Sequence, residues 1–89
     1  MLKIDIIYNK DCLEGMKELP DKCIDAVIAD MPYGVLNRKN GSAGWDRQIP
    51  LDALWEQYRR IAKPSCPIIL FAQGIFSARL MLSQPRMWR

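Results

Sequence analysis

Histidine is absent from this chain of 89 residues, which removes the Ser-His-Asp and Cys-His nucleophilic mechanisms and the common zinc hydrolases together. Cysteine is scarce as well. Cys12, Cys23 and Cys66 are odd in number and widely spaced, which fits neither a disulfide framework nor a Cys-x-x-Cys zinc site. They read as reduced packing residues, and no metal site is expected. No apolar run approaches the roughly 20 residues of a membrane span. Met1-Leu2-Lys3-Ile4-Asp5 carries a carboxylate inside its apolar patch and lacks a small-residue cleavage site, so it does not read as a signal peptide. A cytoplasmic location with no membrane partner is the expectation. Charge of one sign is not dominant either: thirteen basic against ten acidic side chains leave +3, which permits a nucleic-acid partner without demanding one.

What is present is enough for one small domain spanning residues 1–89. An apolar content of 49% supplies a core, although a chain this short buries only about two thirds of its unfolded surface and has a thin stability margin. Residues 3–8 read as a first strand through Ile4, Ile6, Ile7 and Tyr8. Asp11-Cys12-Leu13-Glu14 then predicts a helix start, with Asp11 as cap and Glu14 completing a capping box. Leu13, Met16 and Leu19 form its inner face, and Pro20-Asp21 stops it.

Residues 24–29, Ile-Asp-Ala-Val-Ile-Ala, predict a second, buried parallel strand. With the helix before it this is a β-α-β unit with a right-handed crossover. A long, polar, basic loop follows over residues 35–48. Pro50 opens a helix with apolar positions Leu51, Leu54, Trp55, Tyr58, Ile61 and Ala62, ended by Lys63-Pro64. Residues 67–72 predict a third buried strand, Gln73-Gly74 a turn, and residues 75–83 a last apolar helix.

The chain is organised around Asp30-Met31-Pro32-Tyr33-Gly34, which emerges at the carboxyl end of the second strand, where open α/β sheets bind ligands. A carboxylate, a backbone carbonyl at Met31, a stiffening proline and an aromatic ring suit the holding of a flat, nitrogen-bearing ring by edge and face. The peptide resembles the catalytic (Asp/Asn)-Pro-Pro-(Tyr/Phe/Trp) tetrapeptide of amino-group DNA methyltransferases, in the group whose catalytic motif lies early in the chain. Further segments match that family's order: Asn9-Lys10-Asp11-Cys12-Leu13-Glu14, Leu19-Pro20-Asp21-Lys22, Trp45-Asp46, Arg60-Ile61-Ala62-Lys63-Pro64 and Ile69-Leu70-Phe71-Ala72.

The resemblance implies a partial Rossmann-like α/β fold of the class I methyltransferase kind, a three-layer sheet of about three parallel strands with helices, incomplete relative to the full family domain. It implies methylation of DNA, at adenine N6 more than cytosine N4, with S-adenosylmethionine as cofactor. Asp30 and the Met31 carbonyl would accept the two hydrogens of the target amine, with Pro32 holding the turn and Tyr33 stacking on a base rotated out of the duplex. The amine nitrogen would then attack the sulfonium methyl group directly. Asp11 and Asp30 would face the cofactor, and Arg38, Lys39, Trp45 and Arg47 would meet the DNA.

Two departures stand out. Methionine occupies the motif's second position, where proline is common. No Phe-x-Gly-x-Gly cofactor loop occurs; Gly41-x-x-Gly44 and lone glycines are all there is, and none is read as following an apolar strand to open a helix. In the family arrangement the missing segment supplies strands that separate this chain's first and second strands. An amino-terminal fragment is therefore expected, with dimerisation or an altered strand order filling the gap.

Duller readings stand beside these. Asp11 serves equally as a helix cap, Trp45 as a loop anchor, and Arg38, Lys39 and Arg47 as a solvated basic loop. Trp55 and Tyr58 sit at core spacing; Ile75, Phe76, Leu80 and Leu82 are core or an exposed patch that drives association. A non-enzymatic interaction module or inactive remnant is the alternative function. Related tetrapeptides also serve enzymes acting on RNA bases or a glutamine amide, and a phosphate-accepting receiver-like domain lacks its acidic pair and its strand-end lysine.

Overall fold

The computed structural model describes residues 2–32 and 48–87. Its elements run α1 (Cys12–Lys17), β1 (Val27–Ala29), α2 (Leu51–Ile61), β2 (Ile68–Leu70) and α3 (Ile75–Ser83), followed by a single 3-10 turn at Pro85–Met87. The architecture is mixed α/β. β1 and β2 pair in parallel with Val27 opposite Ile68, Ile28 opposite Ile69 and Ala29 opposite Leu70. An isolated parallel bridge joins Ile24 to Ala62 before the sheet begins.

The expected helix starts hold, as do the cores of the second and third expected strands, each shorter than its apolar run suggests. Alternation explains how the sheet packs, because successive side chains of a strand point to opposite faces. Val27, Ala29, Ile68 and Leu70 face the helices and pack on a core of Met31, Leu54, Trp55, Tyr58, Phe76 and Leu80. Leu13 and Met16 of α1 join the same core. The opposite face holds Ile28 and Ile69, 71% and 51% exposed, with Phe71 beyond the strand end at 53%. Among the described residues the domain thus has two layers, helices on one side of a two-stranded sheet, and the expected third layer is missing.

The expected first strand does not form. Residues 3–8 lie outside the sheet, with a turn at Ile4-Asp5 where Asp5 has φ 61°. Ile4 is 87% and Ile7 99% exposed. β propensity expresses how well a side chain fits a pleated, half-buried surface, and among the described residues no strand neighbours this segment to supply one. Among the described residues three parallel strands are therefore corrected to two.

The helices are joined by polar contacts at their ends. Asp11 accepts the Glu14 N–H at 3.1 Å and caps α1 as predicted. Glu14 pairs with Lys17 rather than reaching back to complete the box. Carbonyls at and just beyond the carboxyl end of α1 are met by α2: the Arg60 guanidinium donates to Met16 O at 2.6 Å, which also accepts the Leu19 N–H at 3.0 Å, and to Leu19 O at 2.7 Å, and pairs with Asp21. Lys22, in the left-handed region at φ 54°, donates its ammonium to Arg59 O, and its backbone N–H to Arg60 O. Trp55 of α2 donates its indole N–H to Ser83 Oγ of α3 at 2.8 Å. No helix among the described residues is long and apolar enough to cross a membrane.

Candidate functional site

β1 delivers Asp30 to the carboxyl end of the parallel sheet, beside the equivalent end of β2. The Phe71 N–H donates to Ala29 O at 3.1 Å, so the chain after β2 runs alongside the Asp30 turn. Asp30 is exposed, Met31 is buried at 6%, and Pro32 is half-buried. This is the end of an open α/β sheet at which ligands bind. An open depression of about 430 Å³ runs along the end of β2, lined by Ile69, Leu70, Phe71, Ala72 and Gln73; Asp30 is not part of its lining.

Met31 is the residue whose part the sequence conceals. Methionine at the motif's second position was expected to contribute a backbone carbonyl, with the rigidity of the turn in question. The structure instead seats its side chain in the core beside Leu54, Trp55 and Tyr58. Thioether side chains fill irregular gaps between helices and sheet. Burial of that side chain holds the turn from below, where a proline would stiffen it from within the backbone. The apolar run of β1, ending in Ala29 with an apolar residue again two places on, was the signal.

Asp11 lies at the start of α1, engaged as its cap. Cys12, next to it, has its thiol pushed up by partial burial and by the Asp11 carboxylate, so it is a poor thiolate at neutral pH. Tyr58 is pushed up to about 12, chiefly by burial and further by the charge of ionised Cys12. Neither group is poised for chemistry near neutrality. Among the described residues no cluster of three or more metal-ligating side chains occurs.

A glycine does stand between an apolar strand and a helix, contrary to expectation. Gly74 follows β2 and is the N-cap of α3, with φ 62° and open space where a Cβ would be. It is a lone glycine and not a glycine-rich phosphate loop. Asp11 is engaged as the cap of α1, and Gly74 is the glycine that the described residues place between a strand and a helix. Of the other predicted site residues, Tyr33, Arg38, Lys39, Trp45 and Arg47 lie outside the described residues.

Comparison with protein-family models, with curated proteins and with solved structures finds no match to this chain.

Proposed function

We propose that this chain is the catalytic-motif part of an S-adenosylmethionine-dependent DNA amino-methyltransferase, acting on adenine N6 in preference to cytosine N4. The observation that carries the reading is Asp30, exposed at the carboxyl end of a parallel strand, on a turn whose next side chain is buried in the core. A carboxylate so placed accepts one N–H of an exocyclic amine, and the adjacent backbone carbonyl of Met31 accepts the other. Two acceptors on one amine draw its lone pair out of conjugation with the ring and raise its nucleophilicity. Pro32 and Tyr33 extend the motif in sequence, and the net charge of +3 suits a polyanionic partner. The cofactor would supply an electrophilic methyl group; this chain's own contribution is to recognise and orient the amine.

Binding of adenine-containing single-stranded DNA to the 89-residue chain, followed by fluorescence anisotropy, tests this role. Asp30→Ala should weaken binding roughly 10- to 100-fold, the span expected for a hydrogen bond to a charged group. Asp30→Asn, which keeps one acceptor oxygen, should lose less. No DNA binding, or binding indifferent to Asp30, overturns the reading. Calorimetric titration with S-adenosylmethionine is expected to show no saturable binding to the chain by itself, since the glycine loop is not in it; saturable binding weakened by Asp11→Ala would relocate the cofactor site to these residues.

A second reading, a non-enzymatic interaction module, is favoured by one observation. The sheet face carrying Ile28, Ile69 and Phe71 has no covering layer among the described residues.

A further inference from the structure

Two apolar surfaces have no cover among the described residues, and they differ in kind. One is flat: Ile28 and Ile69 are paired across the parallel ladder, and Phe71 continues the same face two residues beyond Ile69. The other is an arm, residues 3–8, with Ile4, Ile6 and Ile7 exposed and no strand beside it among the described residues.

Parallel sheets are found covered on both faces, and a two-stranded sheet is marginal without further strands or packing. The arm has the converse defect, since its branched side chains favour a pleated partner it does not have. Size decides what the two surfaces can do together. At roughly 150 to 200 Å² for a fully exposed isoleucine or phenylalanine side chain, the three face residues offer on the order of 300 Å², too little for a stable interface. Adding the three arm isoleucines brings the total to roughly 700 Å², near the roughly 800 Å² per partner of a standard interface.

We propose that two copies of this chain associate in solution by exchanging arms, residues 3–8 of each lying over the Ile28, Ile69 and Phe71 face of the other. The exchange is two-fold symmetric, so each copy gives one arm and receives one, and the interface closes at the dimer. Reciprocity also explains why neither surface need be satisfied within one chain. The tether is sound at its root. Lys10, at the arm's base, is paired with Glu18 of the α1 end at 2.6 Å and sits over the Tyr8 ring, and the Tyr8 hydroxyl accepts the Lys3 N–H at 2.7 Å, so residues 3–8 form a closed loop on which Ile4, Ile6 and Ile7 are exposed. This inference does not rest on the methyltransferase reading, and either can fail without the other.

Sedimentation equilibrium of the 89-residue chain tests it, with far-ultraviolet circular dichroism as the check on folding. The wild-type chain should sediment at twice the mass of one chain at micromolar concentration. Ile69→Asp and Ile7→Asp, one on each surface, should each give a monomer with an unchanged spectrum, since both side chains are at least half exposed in the single chain. A wild-type monomer throughout the concentration range overturns the proposal. So does a dimer that survives both substitutions. If Ile69→Asp unfolds a monomeric wild-type chain, the arm covers its own sheet face and the exchange between copies is wrong.

Discussion

Met31 shows how one side chain can fix a candidate functional turn. Its backbone carbonyl is the candidate acceptor for an amine hydrogen, and its thioether is part of the core that holds Leu54, Trp55 and Tyr58. Met31→Ala should cost about 2 to 5 kcal/mol in urea unfolding, because the cavity lies between sheet and helices and the neighbours close it only in part. Met31→Leu, close in volume, should cost less than about 1.5 kcal/mol. Tyr58 makes a prediction of opposite character. Burial favours its neutral phenol and raises its folded pKa to about 12, against about 10 in an unfolded chain. The folded and unfolded states hold the same proton below pH 10, so stability is unaffected there. Between about pH 10 and pH 12 the unfolded chain ionises first, and stability falls as pH rises. Tyr58→Phe keeps the ring and removes the ionisation, so its alkaline unfolding midpoint should move upward.

Elements in this chain hold one another through their ends. α1 is six residues long, far below the length at which a helix is stable in isolation. Its amino end is capped locally by Asp11, and its carboxyl end, besides the local Glu18 and Leu19 N–H groups, takes a donor from Arg60 of α2, more than forty positions away in sequence from Met16. Arg60→Ala leaves the Met16 and Leu19 carbonyls without that donor and should cost about 1 to 3 kcal/mol. Hydrogen exchange should show the loss concentrated in α1. Lysine at this position keeps the charge but lacks the planar fork that reaches two carbonyls and Asp21, so Arg60→Lys should recover only part. The contact was not readable from periodicity, which assigned Arg60 only to a helix end. α3 was read with its correct bounds, yet its apolar residues divide: Phe76 and Leu80 are buried, while Ile75 and Leu82 are exposed.

At the scale of the molecule the governing fact is that, among the described residues, a two-layer arrangement leaves an apolar sheet face over. Exchange of arms between copies would couple folding to association, since the bound state buries surface that the single chain exposes. The thermal midpoint of the wild-type chain should then rise with protein concentration, and that of Ile69→Asp should not. A methyltransferase assignment leaves this untouched. Its own demand on the molecule is narrower, an Asp30 turn held rigid at the sheet's carboxyl end.

Sequence by itself determined the helices, the two strand cores, the cap at Asp11 and the position of Asp30 at a strand end. Each depends on neighbours within a few residues: a carboxylate three places before an amide to be capped, or an unbroken apolar run too short for a helix. Tertiary structure decided the rest. Residues 3–8 have the composition of a strand, but a strand exists only when another backbone offers hydrogen bonds at its side, and no other described strand lies there. The helices all pack on one face of the sheet, so alternation in β1 and β2 makes Val27 and Ile68 core while leaving Ile28 and Ile69 exposed. Met31 became an anchor for the same reason. Local pattern fixes which residues are apolar; only the placement of distant elements fixes which of them are covered.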